Sequence, residues 1–339
     1  MGVVPRLLEE GYKLTEARDV ASDGHKIASL DPQRFVAGTS GRYVSILRAD
    51  LATAIYDALE EDVETIFGDT VAQLTEGERS VHVEFEHGGE REFDLVVGAD
   101  GLHSRIRELV FGEESRFERD LGIAVAAFDV AGYSPRDEHV AVMHGEVGLQ
   151  AIRVALRDDR TMFMLTFRHQ GPIPANDVAA QQELLRTTLA GAGWEIPAIL
   201  DELPRAGTLY LDRANQIRMP SWTNRRVALI GDAAGSPSLL AGQGSALAMV
   251  AAYVLAAELA ATPGDHRRAF EAYEHRLMPM LRSKQDAAKG LGTAFAPPSR
   301  LHLVLRTTLM RLMGLPPVAS LAMGRSLRDP IELPSWPGA

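Results

Sequence analysis

The sequence predicts an α/β fold in which an open, parallel-type sheet carries an inserted, mostly antiparallel sheet and ends in C-terminal helices. Three stretches predict it. Val227 to Ile230 is a short, fully apolar run of the buried-strand kind, stopping at Gly231-Asp232; after a small-residue loop, Gly242-Gln243-Gly244 opens a long helix rich in Ala, Leu, Met and Val. A second apolar strand, in FDLVVGADG, also stops at an Asp-Gly pair, Asp100-Gly101. Between the two, Gly122 to Phe167 changes texture to alternating and apolar runs, IAVAAFDV, HVAVMHG, GLQAIRVAL and TMFMLTF, which read as antiparallel strands.

In chain order, Met1 to Asp31 reads as a short helix at Arg6 to Glu10 and then extended segments around a turn at Asp23-Gly24. Tyr43 to Leu59 passes from a strand into an amphipathic helix with Leu47, Leu51, Ile55 and Leu59 at helical spacing. Arg48 stands at that junction, where it could equally pair with Asp50 or Asp57 on the surface. Val71 to Val97 reads as a hairpin turning at His87 to Glu90, followed by a return strand. Ser104 is placed to cap a helix that begins at Arg105. Asp158-Asp159-Arg160 marks a hairpin turn, Asn176 to Ala190 an amphipathic helix, and His266 to Leu291 a long one. Leu301, Val304, Leu305, Leu309 and Leu312 repeat at helical spacing inside an interval that carries Lys289, Arg300, Arg306, Arg311, Arg325 and Arg328 and no acidic residue. That pattern suits a terminal helix docked on the protein or a basic amphipathic helix on a membrane surface.

Composition narrows the function classes. With 339 residues the chain has room for two average domains or one large discontinuous one. A formal charge of −11 provides no basic excess for phosphate neutralisation, so general nucleic-acid binding is not expected. With no cysteine, disulfides, thiolate catalysis and Cys-ligated metals are excluded, and a cytoplasmic location is expected. The ten histidines show no His-x-x-x-His or Glu-x-x-His cluster, so no metal site is expected. Gly38-Thr39-Ser40-Gly41 has the wrong spacing for a hydrolase nucleophile elbow. The apolar stretch Ala246 to Ala257 is interrupted and too short for a bilayer span, so no integral membrane segment is expected.

Two motifs carry a specific resemblance. GDAA, then Pro237, then Gly242-Gln243-Gly244 and a small-residue helix resembles the second flavin motif of the FAD-dependent aromatic monooxygenases, the class A flavoproteins. DLVVGADGLHSRIREL resembles the DG motif of the same family. The resemblance implies a Rossmann-like FAD/NAD(P)-binding sheet with FAD as cofactor and NAD(P)H as co-substrate, the reduced flavin and O2 hydroxylating a small organic molecule. It implies that Asp232 binds the ribityl chain, that the helix start at Gly242, Gln243 and Gly244 lies by the flavin ring, that Asp100 and Gly101 contact the cofactor, and that Arg48 reaches its phosphate or flavin region. It assigns no catalytic acid or base. The antiparallel sheet would floor a substrate chamber, with Met143, Met162, Met164 and Phe167 as wall or as plain core. The segment FEAYEHRLMPMLRSKQDAAKGLGTAFAP is similar to the branch that includes tetracycline-inactivating enzymes.

The same resemblance sets the expected domains: 1–120 the remainder of the FAD-binding domain, 121–220 the substrate-domain sheet, 221–292 the FAD-binding return segment and 293–339 a C-terminal helical segment. Two departures stand out. No strand, GxGxxG and helix unit occurs anywhere, so the reading is of an N-terminally truncated chain with weakened hold on the cofactor diphosphate. Position 235 is Gly where many relatives carry His. Two other readings follow from these departures: a non-catalytic remnant acting as a binding module, and a flavin-dependent reductase or halogenase on the same scaffold.

Overall fold

In the computed structural model, which describes residues 2–32, 44–59, 63–313 and 331–336, the chain divides into two units. One comprises residues 1–64, 122–213 and 293–328, the other 65–121, 214–292 and 329–339. The first unit begins with α1 (Val4–Glu10), β1 (Glu16–Val20), β2 (Lys26–Leu30) and α2 (Arg48–Tyr56). The chain then enters the second unit for β3 (Val71–Glu76), β4 (Val81–Phe85), β5 (Glu90–Phe93), β6 (Val96–Gly98), α3 (Arg105–Phe111) and β7 (Glu118–Arg119). It returns to the first for β8 (Ile123–Ala131), β9 (Val140–Glu146), β10 (Leu149–Ala155), β11 (Arg160–Arg168), α4 (Val178–Thr188), α5 (Ile196–Asp201) and β12 (Leu209–Arg213). The second unit receives β13 (Gln216–Ile217), β14 (Thr223–Asn224), β15 (Val227–Leu229), α6 (Gly231–Gly235), α7 (Gly244–Ala261) and α8 (His266–Ala288). Helix α9 (Leu291–Phe295) leads back to the first unit and its last helix, α10 (Arg300–Met313).

The first unit is organised on a seven-stranded sheet of order β12-β8-β11-β10-β9-β1-β2. Its neighbours are antiparallel except β1 and β9, which run parallel with Glu16 opposite Val140. The 16–30 hairpin, allotted by sequence to the first domain, is therefore part of this sheet. Parallel pairing between strands more than a hundred residues apart leaves no local signature. The turn between β10 and β11 sits at Asp158 and Asp159, both at positive φ (55° and 53°), the two-residue geometry that matches hairpin twist. One sheet face packs Phe128, Phe163, Leu165 and Phe167 against Leu185 of α4 and Ile196 and Ile199 of α5, forming this unit's core. Helix α2 buries only Ala54, with Leu51 and Ile55 half-buried and Leu59 exposed beyond its end, so the expected stripe is not a buried face.

The second unit holds a parallel pair, β15 and β6, bordered by β14, and a separate antiparallel sheet β3-β4-β5 whose hairpin turns where expected. Val227, Ala228 and Leu229 are fully buried under α7 and α8 through Val254, Leu255, Phe270 and Tyr273. Helix α7 is longer than the apolar stretch Ala246 to Ala257: its 18 residues average a hydropathy of 1.7 with 22% buried, enough by length and composition alone to cross a bilayer. Its buried residues Ala251, Val254, Leu255 and Ala257 belong to, or pack beside, the second unit's core. The Gly38 to Gly41 segment, Arg325 and Arg328 lie outside the described residues.

Candidate functional site

Strands β6 and β15 are adjacent and parallel, with Val96 opposite Val227 and Gly98 opposite Leu229. Asp100-Gly101 and Gly231-Asp232 therefore both leave the carboxyl end of one parallel pair, the edge where open α/β sheets meet their ligands. Gly231 adopts φ 60°, and a Cβ there would lie 3.1 Å from Ala248, so glycine lets the turn fit under α7. Residues 231–235 form one helical turn, α6, rather than the small-residue loop expected. On that turn the Asp232 carboxylate faces Gly244: a Cβ at Gly244 would lie 3.6 and 3.8 Å from its two oxygens. The side chain of Gln243, at the N-cap of α7, makes no capping hydrogen bond. Gly242 sits in the left-handed region (φ 63°) with nothing within 4 Å of its Cβ position, so this side of the turn is open. A cavity of about 30 Å³ lined by Asp232, Gly244, Trp222, Leu247, Tyr273 and Leu277 admits a water and not an aromatic ring.

Asp100 is placed differently from Asp232. One carboxylate oxygen accepts from Ser104 Oγ at 2.5 Å and the other from the Ile106 amide at 2.9 Å, while Ser104 accepts from the Arg107 amide. Its side chain thus fixes the start of α3, and Gly101 turns the loop at φ 84°. A residue the motifs did not single out ties the two turns together. Arg107, fully buried, donates to the Ala233 carbonyl at 3.0 Å, to the Leu102 carbonyl at 2.6 Å and to Glu114 at 2.5 Å. Burial pushes its guanidinium below the usual value, while Glu114 pulls it up. Burial opposes the ionised Glu114, but hydrogen bonds and charge from His103 and Arg107 hold its carboxyl below the ordinary range. The i, i+7 spacing of Arg107 and Glu114 carries no sequence signal.

The loop between α6 and α7 is clamped by two buried glutamines. Gln216 donates to the Pro237 and Gln285 carbonyls, and Gln285 donates to the Ile217 and Ser236 carbonyls. Between them Ser238 is held at φ 95°, a strained value for a non-glycine residue. Gly235 has its own cause: a Cβ there would meet Leu281 Cδ2 at 2.2 Å, so Leu281 fills the space a larger side chain would need.

Arg48 opens α2 in the first unit and is exposed. The carboxylates it might have paired with are engaged elsewhere, Asp57 with Arg6 at 2.7 Å and Asp50 with Arg157 at 3.8 Å. Phe167 is core, but Met143, Ile152 and Met164 lie in register across β9, β10 and β11, half-buried on the opposite sheet face. One His-carboxylate group converges at a spacing that helical metal motifs do not cover. His82, Glu84 and Glu90 bring ligand atoms within 4.8 Å of one another at strand spacing, on the exposed face of the β4-β5 hairpin.

Residues 1–285 match the family described as FAD binding domain. The chain belongs to that family. A flavin-dependent monooxygenase of Legionella longbeachae is 32% identical over 303 residues, 86% of this chain and 74% of its own length. A flavin-dependent monooxygenase from an unknown prokaryotic organism is 34% identical, and this chain spans 65% of it. The crystal structure of tetracycline destructase Tet(51) superposes with a TM-score of 0.80 at 27% identity, covering 99% of this chain and 84% of that one. This FAD-binding protein is thus a flavin-dependent monooxygenase and an oxidoreductase, on the branch that resembles the tetracycline-inactivating enzymes. Its residues suit the cofactor: a carboxylate for ribityl hydroxyls, a helix start, and glycines that keep side-chain bulk out of the turn.

Proposed function

We propose that this flavoprotein uses NAD(P)H and O2 to hydroxylate an aromatic or polyketide-like small molecule, with Asp232 and the amino end of α7 holding the flavin. The observation that carries the reading is the Asp232 carboxylate set against Gly244 at the edge of a parallel strand pair. Bound FAD supplies the redox chemistry, taking electrons from NAD(P)H so that one atom of O2 enters the substrate and the other leaves as water. Asp232 accepts from ribityl hydroxyls, and Gly242, Gln243 and Gly244 present backbone to the ring. The helix's partial positive charge, roughly half a unit, favours negative charge beside it. Asp100 serves by shaping the loop that carries Gly101. For Arg48 the assignment to the cofactor phosphate rests on family resemblance. Met143, Ile152 and Met164 offer an apolar, adaptable surface for an aromatic substrate. Support for an aromatic or polyketide class comes from the Tet(51) likeness and from a fold shared with a Klebsiella pneumoniae protein crystallised with FAD and uric acid.

The test is to add FAD to the purified protein and follow flavin fluorescence, then NAD(P)H oxidation, O2 uptake and product mass. Saturable FAD binding and an oxygenated product are expected, and Asp232→Ala should weaken FAD binding about tenfold or more, one lost charged hydrogen bond. A protein that stays colourless in excess FAD is a binding module instead. NAD(P)H oxidation without O2 uptake would make it a reductase, and halide incorporation a halogenase. Since no GxGxxG unit occurs in these residues, FAD affinity is the first quantity to measure.

A further inference from the structure

Helix α10 is packed the opposite way to most docked amphipathic helices. Winding at about 100° per residue, it places Leu301, Val304, Leu305, Thr308, Leu309 and Leu312 in one stripe. The five apolar members of that stripe are 46–75% exposed. The inward side carries Arg306, which is buried and donates to Asp19 of β1 at 3.2 Å. It lies where a side chain at Gly145 would be, with Nη1 2.9 Å from that Cβ position. The helix thus turns a buried charge pair and the half-buried Leu303 and Met310 inward while the five apolar residues of the stripe face outward, although burying them would gain roughly 1.5–3 kcal/mol each.

We infer that the outward stripe of α10 is a docking surface for an anionic lipid bilayer. The argument is charge complementarity. Exposed Arg300 and Arg311 line one border of the stripe and His302 the other, the arrangement in which cationic heads meet lipid phosphates while leucines enter the acyl boundary. From residue 287 to 328 there are six cationic residues and no acidic one, in a chain whose net charge is −11, so the local sign is opposite to that of the whole. A second copy of the same segment would bring arginines and no carboxylate to meet them, which favours lipid phosphate over self-association.

Co-sedimentation of the full chain with phosphatidylcholine vesicles, with and without phosphatidylglycerol, tests this. The protein should pellet with the anionic vesicles and much less with the neutral ones, and high salt should weaken the binding. Leu305→Glu combined with Leu309→Glu should lower the affinity at least about a hundredfold, while circular dichroism and the thermal midpoint stay those of the parent. Arg300→Gln, which disturbs no packing, should lower binding to anionic vesicles about fivefold and leave neutral ones unaffected. Equal pelleting of parent and Leu305→Glu/Leu309→Glu, or no pelleting with anionic vesicles, overturns the inference. A dimer that the same double substitution dissolves also overturns it, because a second copy then covers the stripe.

Discussion

The Arg107 guanidinium spends its hydrogen bonds on the carbonyls of Leu102 and Ala233, one in each Asp-Gly turn, and on Glu114. Removing the guanidinium takes the donor from both carbonyls and leaves Glu114 with His103 alone, a loss of about 3–5 kcal/mol for a buried pair broken from one side. Arg107→Met should therefore lower the unfolding free energy by that amount, read from a shifted urea midpoint, and weaken FAD binding with it. Arg107→Lys should restore little, since an ammonium cannot serve three divergent acceptors as a planar fork does. Glu114 adds a pH dependence. Its carboxyl titrates below the usual range when folded, so its stabilising contribution is present above the unfolded value near 4.5 and disappears as pH falls through the lower, folded value. Glu114→Gln should be less stable than the parent at neutral pH, and the gap should close in acid denaturation profiles.

At the scale of elements, short-range chemistry accounts for most of what the chain builds. Ser104 caps α3 by accepting from the Arg107 amide, and Asp177 and Asp265 cap α4 and α8 in the same way. Ser104→Ala should destabilise by about 1 kcal/mol in chemical denaturation, and more if Asp100 loses its orientation with the Ser104 hydroxyl. Strand alternation was equally readable, in β8 to β11 and in the β4-β5 hairpin, because successive side chains face opposite ways. Helical periodicity alone was a weaker guide. It found α10, yet which side of α10 faces the protein depends on the Asp19 partner nearly three hundred residues away.

For the whole molecule, FAD binding at the proposed site is linked to folding, since Asp232 and the start of α7 come together in the folded second unit and not in the unfolded chain. Excess FAD should raise the thermal midpoint, by the equivalent of about 2.7 kcal/mol at a hundred times Kd, and Asp232→Ala should lose about half of that rise or more. A differential scanning run with and without FAD reads both. By itself the sequence determined the flavin motifs, most helices and strands, and the antiparallel character of the larger sheet. Each of these follows from residues within a few positions of one another, whose spacing dictates φ, ψ and the buried side. Only the tertiary structure decided that β1 runs beside β9, that Gln216, Gln285 and Arg107 brace the turns around Asp232, that Asp100 is committed to α3, and that the stripe from Leu301 to Leu312 on α10 faces outward. Those are choices among distant partners, and a hydrogen-bond donor or apolar face looks the same in sequence whichever partner it meets.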